Sequence, residues 1–259
     1  MSYGPKPDKH RQREAGNLIK IRFYENEDAE KVRDLVFGGF IRGELSPLQI
    51  GLRDIMKQPI VLPSYPIFVF GLFVLAQKDF RWSFATPCAI AAALCAASVS
   101  WILVWRRWLI GSFDDYCEYS LKHDMANIAE YYAHEKLGTE DDGGVSGFWV
   151  AVVSGRDGME RIVGCVGLDS RTQEDKTQSE LRRMSVSEDY RRRGIAMELI
   201  NTLVLHARKR GLKKVVLSTT SYQGSARSLY KKLGWVETGK VGLHWFMRNL
   251  DLYTLERTL

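Results

Sequence analysis

Paired cysteines are missing from this 259-residue sequence: Cys88, Cys95, Cys117 and Cys165 are scattered, and no two have C-x-x-C spacing. That excludes a disulfide-stapled scaffold and a zinc knuckle, and makes a reducing compartment the simpler setting. Arginine-aromatic interleaving, a helix-turn-helix pattern and Cys/His zinc spacing are also absent, so neither nucleic acid nor a bound metal is expected. The first 17 residues, MSYGPKPDKHRQREAGN, contain no apolar stretch that could serve as a cleaved secretory signal. Residues 1–17 read instead as a disordered tail. What is present is a hydrophobic fraction of 45 % and a net charge of +6, from 37 Lys and Arg against 31 Asp and Glu. A sizeable core with an insertion is possible, and the charge suits anionic ligands or a membrane surface.

Residues 18–24, LIKIRFY, alternate like a half-buried strand, and ENEDAEKVRDLVFGGF follows with an acidic first turn and helical apolar spacing. The composition then changes sharply. Residues 59–76 and 84–105 are two uncharged runs separated by QKDFRWS, each close to the roughly 20 residues that cross a hydrocarbon core as helix. Pro63 and Pro66 interrupt the first run and predict a kink or a re-entrant path there. Trp82, Trp101, Trp105 and Trp108, with Arg106 and Arg107, form the aromatic and basic flank of a membrane segment. A hairpin buried in a soluble core is the competing reading, and it fits poorly with helices uncharged on every face.

Beyond the hairpin, residues 112–138 are predicted as one amphipathic helix closed by Gly138. Residues 148–153, 160–168 and 179–186 then read as a three-strand meander. A helix opening at RRRGIAMELI, a strand KKVVLST, a helix SARSLYKKLGW and a last strand over 241–250 complete the chain.

Two motifs carry chemistry. Arg191, Arg192, Arg193, Gly194, Ile195 and Ala196 stand between a strand and a helix. Small residues at such a turn let backbone N–H groups converge at a helix N-terminus, where a pyrophosphate fits and the arginines add positive charge. The second is Leu229-Tyr230-Lys231-Lys232-Leu233-Gly234-Trp235, with Gln223 and Ala226 upstream.

These segments, together with LIKIRFYENED, SGFWVAVV and ELRRMSV followed by YRRRGIA, resemble the camello-like, membrane-associated branch of the GNAT acetyltransferases. That branch includes aspartate, cysteine-conjugate and endoplasmic-reticulum lysine acetyltransferases. The resemblance implies an α/β GNAT fold with a mixed central sheet and an inserted membrane hairpin. Domains follow accordingly: the tail (1–17), the first strand and helix (18–44), the hairpin insertion (45–110) and the remainder of the catalytic domain (111–259). It implies acetyl-CoA as co-substrate, no metal, and direct transfer of acetyl to a primary amine of an amino acid, a cysteine conjugate or a lysine.

By resemblance, Met184, Ser185 and Val186 pair their backbone with the pantetheine arm. The 191–196 turn holds the pyrophosphate, and Gln223 stands where the family commonly has Asn. Tyr230 matches the general acid for the departing thiolate, with a packing tyrosine as the alternative. An amine with a pKa of about 10.4 must be deprotonated before it attacks, and Glu180 is the base candidate. Arg182 and Arg183 are candidates for a substrate carboxylate. Cys165, His206 and His244 read as structural. A different class also fits: a membrane-anchored acyl-CoA-binding protein without turnover, which the Gln at 223 favours. The implied location is an intracellular membrane, the endoplasmic reticulum. Arg53, Lys57, Arg106 and Arg107 flank the hairpin against Lys78 and Arg81 in its turn, which favours a cytosolic catalytic face over a luminal one. Two spans or one re-entrant loop both leave the hairpin's ends on one side. The oligomeric state is not legible.

Overall fold

Alternation in IKIRF produces strand β1 (Ile19–Phe23) in the computed structural model of the chain, which describes residues 19–77, 86–132, 145–155, 159–243 and 250–259. The expected N-terminal tail and the hairpin's turn residues Lys78, Arg81 and Trp82 lie outside the described residues. Asp28 ties β1 to the next element. Its carboxylate accepts both Arg22 Nη1 (2.6 Å) and Arg22 Nη2 (2.9 Å), and also the Glu25 amide (2.9 Å). A charge-assisted fork of this kind satisfies a buried carboxylate and starts helix α1 (Ala29–Ile41) at a defined angle.

The strands form one mixed sheet in the order β1-β2-β3-β4-β5-β7-β6. The predicted meander is present as β2 (Gly147–Ser154), β3 (Glu160–Asp169) and β4 (Gln178–Val186), all antiparallel. Strand β5 (Lys214–Thr220) runs parallel to β4, and that geometry needs the crossover helix α6 (Ile195–Lys209) between them. One closing strand over 241–250 was the expectation, and two strands form instead. They are β6 (Val236–Gly242) and β7 (Asp251–Thr258), paired antiparallel from Val236↔Glu256 to Gly242↔Asp251. In β7 the alternation is carried by buried Tyr253 and Leu255, and charged Asp251, Glu256 and Arg257 mask it in the sequence. Residues 244–249, with His244, lie outside the described residues.

The chain divides into two compact units. The first, up to residue 39 with 127–217 and 257–259, holds the meander, α6 and most of α1. Leu199, Ile200, Leu203 and Val204 of α6 are buried on its sheet-facing side, and the methyl ends of Ile195 and Leu199 close over Gly164 of β3. Short helix α5 (Ile128–Tyr131) also belongs here, capped by Asn127, whose side chain accepts the Glu130 amide. The long amphipathic helix expected over 112–138 is thus not formed: the preceding helix stops at Lys122, a turn follows, and residues 133–138 lie outside the described residues.

The second unit, 40–126 and 218–256, contains the insertion. Helix α2 (Pro47–Asp54) starts on Ser46, whose Oγ accepts the Gln49 amide, with Pro47 in the first turn. Its Leu48 and Leu52 share a core with Ile55, Val61, Leu109, Tyr222 and Leu250. Helix α3 (Ser64–Ala76) has 13 residues and α4 (Thr86–Lys122) has 37. At 1.5 Å per residue these are about 20 Å and about 55 Å long. The prolines begin α3 and do not kink it: Pro63 is its cap and Pro66 lies in the first turn, where a missing N–H costs nothing. The two helices meet at Gly71, where a Cβ would stand 2.7 Å from Cys95 Sγ and 2.9 Å from the Ala91 carbonyl oxygen. At the base Trp101 Nε1 donates to Ile60 O (2.8 Å) and Arg106 Nη1 to Leu52 O (3.2 Å). Away from these contacts the apolar side chains face outward, with Phe70 58 % and Val104 60 % exposed.

Candidate functional site

Strand β4 departs from its neighbours on both sides. Toward β3 the register slips between Cys165 and Gly167, so that Arg183 and Met184 together face one residue, and Arg183 sits at φ 53°. A bulge of this kind bends the strand and turns its free backbone groups. Toward β5 the parallel pairing covers only Gln178↔Lys214 to Glu180↔Val216, and residues 181–186 lie beyond the paired segment. The backbone of Met184, Ser185 and Val186 therefore lies past the end of that pairing. Ser185 Oγ donates to Leu35 O (3.1 Å), which holds this end of β4 against α1.

The strand leads through a 3-10 turn (Glu188–Tyr190) into the arginine run. Arg192 (φ 62°) and Gly194 (φ 84°) are both left-handed, and Gly194 is the cap residue of α6. Alternation of backbone handedness gathers successive N–H groups into a nest. With no side chain at the cap position, the first amides of α6 stay open: no side-chain bond caps the helix, and its first internal bond runs from Glu198 N to Gly194 O. Ile195 is buried as the anchor of the helix, and Ala196 is half-buried. Two arginines turn away from the nest. Arg191 Nε donates to Val186 O (3.3 Å), and its Nη1 lies 3.4 Å from Glu188 Oε1. Arg193 Nη2 donates to Asp189 O (3.2 Å), and its guanidinium lies over the Tyr190 ring at 5.0 Å. Arg192 is exposed.

In the second unit, the LYKKLGW motif has a local cause. Helix α7 (Gly224–Lys232) ends with Trp235 N donating to Tyr230 O (3.0 Å) and Gly234 N to Lys231 O (3.1 Å). This is a Schellman ending with Gly234 at φ 83°. The apolar contact that accompanies it is Tyr230 on Trp235, ring centroids 5.7 Å apart. Tyr230 is 5 % exposed, and burial pushes its phenol well above the usual tyrosine range. It stays protonated through neutral pH, as a proton donor must. Gln223 folds back on its own turn. Its Oε1 accepts Thr219 Oγ1 (2.8 Å) and the Thr220 amide (3.2 Å).

Glu180 and Arg182 belong to a cluster in the first unit. Buried Asp169 accepts Arg182 Nη1 (3.1 Å), Tyr131 OH (3.0 Å) and the Arg171 amide (2.9 Å). Arg182 Nε stands 3.9 Å from Glu180 Oε2. Arg182 is therefore engaged by a protein carboxylate, and Arg183, 8 % exposed, sits at the bulge. Neither Asp169 nor Tyr131 stood out in the sequence, where GLDS reads only as a strand end. Cys165 is fully buried, its thiol pushed up to about 12 by burial, and Sγ donates to Arg183 O (3.3 Å). His206 Nε2 lies 3.2 Å from Val145 O, with its ring edge-on to Trp149 at 5.0 Å. Both have the packing roles expected of them.

The Acetyltransferase (GNAT) family matches residues 105–235. Human N-acetyltransferase 8B is 31 % identical over 238 residues, covering 91 % of this chain and 92 % of that protein. The chain belongs to the GNAT acetyltransferase family. Zebrafish N-acetylaspartate synthetase is 31 % identical over 227 residues, 88 % of this chain and 70 % of that protein. A solved GNAT acetyltransferase from Staphylococcus aureus Mu50 aligns with a TM-score of 0.49 at 16 % identity, over 93 % of this chain and 99 % of that one. With the N-acetyltransferase 8 proteins, this GNAT chain falls in the camello-like branch and is an acetyl-CoA-dependent N-acetyltransferase. Its family match spans the bulged strand, the nest and the Schellman ending.

Proposed function

We propose that this GNAT enzyme transfers the acetyl group of acetyl-CoA directly to a primary amine while held on an intracellular membrane by α3 and α4. The observation that carries the donor half is the nest at 191–196, which opens an uncapped helix immediately after a bulged strand. An anion at that point gains several amide donors and the positive end of the helix dipole. The residues then divide the chemistry. Met184, Ser185 and Val186 offer backbone groups to the pantetheine arm, and Glu180 takes a proton from the ammonium, directly or through water. The amine forms the new C–N bond as the C–S bond breaks, the Tyr230 hydroxyl gives its proton to the leaving thiolate, and the second proton shed by the acylated nitrogen passes through water to restore the phenol. No step uses Cys165, whose buried thiol is not a nucleophile at neutral pH.

Among candidate acceptors, aspartate comes first because a relative covered to 70 % of its length is named N-acetylaspartate synthetase. Cysteine conjugates and lysine remain as further amines of the same class. Arg183 and Arg182 are the cations proposed for an acceptor carboxylate, Arg182 only by giving up part of its hold on Asp169. Membrane attachment rests on the outward-facing apolar side chains of α3 and α4, since α4 is long and apolar enough to span while α3 alone is short of the roughly 30 Å core. The endoplasmic reticulum, with the catalytic units on the cytosolic face, is the proposed setting, after the basic flank at Arg53, Lys57, Arg106 and Arg107.

The test is the full-length chain in detergent, given acetyl-CoA and a panel of aspartate, cysteine S-conjugates, lysine peptides and biogenic amines, with products read by mass. Acetylation of at least one amine is expected. Acetyl-CoA binding with no product from any amine would favour the acyl-CoA-binding reading. In intact microsomes, tags on both termini should be open to protease, and protection of both would assign a luminal enzyme.

A further inference from the structure

Asp169 is a fully buried carboxylate at the end of β3, opposite Glu180 in the pairing of β3 with β4. Three donors hold it. Arg182 Nη1 and Tyr131 OH share its Oδ2, and the Arg171 amide takes Oδ1. Arg171 closes the group from outside: its Nη2 donates to Glu130 O (3.2 Å), and its guanidinium lies over the Tyr131 ring at 5.1 Å. With partners on β4, on α5 and just beyond β3, the carboxylate is fixed from three directions. Arg182 is different. It is bound at Nη1, yet its side chain is 22 % exposed, and its Nε stands 3.9 Å from Glu180 Oε2. An amine within reach of Glu180 brings its own substituents against this guanidinium. A carboxylate among them has to draw Arg182 from one that is already desolvated and aligned, and leaves the buried charge with two neutral donors.

We infer that Asp169 is a positioning residue that sets acceptor selectivity: by holding Arg182, it limits how strongly the enzyme reads a carboxylate on the amine it acetylates. The inference rests on the reading of Glu180 and Arg182 as the acceptor side of the site. Asp169 itself meets no acceptor and acts only through the arginine. Asparagine at this position keeps one oxygen for Tyr131 or for the Arg171 amide and loses the charge, so Arg182 becomes available to the acceptor. Amines with an amide or an apolar group in place of the carboxylate gain nothing from that release.

The experiment gives the full-length enzyme in detergent acetyl-CoA and acceptors paired as acid and amide: aspartate with asparagine, S-benzylcysteine with its amide, and lysine with lysinamide. The readout is the ratio of kcat/KM for acid over amide within a pair. In Asp169→Asn this ratio should rise by about tenfold or more, the scale of one charge-assisted hydrogen bond, with most of the change in the KM of the acid. The double variant Asp169→Asn with Arg182→Gln should lose the gain, because the released guanidinium carries it. A purely structural defect lowers acid and amide alike and leaves the ratio where it was. Asp169→Ser, smaller and also uncharged, repeats the test if the Asn variant does not fold. An unchanged ratio in a folded variant would overturn the inference, as would a gain that persists without Arg182. Undiminished turnover in Glu180→Gln, or no turnover of any pair by wild type, would overturn the acceptor reading itself and the role of Asp169 with it.

Discussion

The nest at 191–196 and the tyrosine of α7 are built on opposite principles. In the nest the proposed working groups are backbone amides, and two of three arginine side chains turn to other partners. On α7 the proposed working group is one side-chain hydroxyl, and the backbone ends the helix at that tyrosine. A site made of backbone tolerates exchange of its side chains and fails when its dihedrals or its charge change. A site made of one side chain fails when a single atom is removed.

The sharpest test of the side-chain half is Tyr230→Phe. It should lower kcat by about 10²–10⁴-fold, the usual range for a general acid, while acetyl-CoA affinity stays within about twofold. Because burial raises the Tyr230 phenol, the wild-type rate should show no alkaline loss from this group until the pH rises above the ordinary tyrosine value of about 10. Wild-type turnover in the variant would reassign Tyr230 to packing against Trp235.

For the backbone half, Gly194→Glu should weaken acetyl-CoA binding by about 10²-fold or more. A Cβ at Gly194 meets nothing within 4 Å, so the loss comes from the strained left-handed φ and the carboxylate beside a pyrophosphate. Arg191→Ala, measured in parallel by calorimetry, should cost less than about fivefold. A reversal of that order would break the contrast.

A third test sets the hairpin against both. Gly71→Leu forces a side chain into Cys95 and the Ala91 backbone, an overpacking that costs about 1–3 kcal/mol. It should lower the melting temperature in detergent and leave acetyl-CoA affinity within about twofold. The smallest effect belongs to Cys165→Ala, which should keep turnover within about threefold and so exclude an acyl-enzyme. With the folded thiol held at about 12, its share of stability is complete below the unfolded value of about 8.5 and is lost as pH rises from there. Thiol reagents at pH 8 should therefore leave Cys165 unlabelled in the native protein.

Much of this was legible in local chemistry. Gly194 and the arginines before it announce a left-handed cap at a helix start, and Gly234 with Trp235 announces a Schellman ending; both depend on residues within one turn of each other. The continuity of α4 was not legible. Gly111 and the polar residues after it suggest a break, yet the helix runs through to Lys122. The strand β7 was missed for a related reason, its alternation being diluted by charges that the sheet holds in half-exposed positions.

Short-range physics is written in the order of the residues: the meander's alternation, the small-residue turn before α6, the caps, and two uncharged apolar runs. Strand pairing over a distance sets Arg182 on Asp169 and puts Arg183 in the bulge. Arg182 and Asp169 are 13 residues apart and meet only because β3 and β4 pair in one register, with the Arg183 bulge a slip in that same pairing. Such partners have no signature in the order of residues, because backbone pairing across strands, and not local propensity, brings them within hydrogen-bond distance.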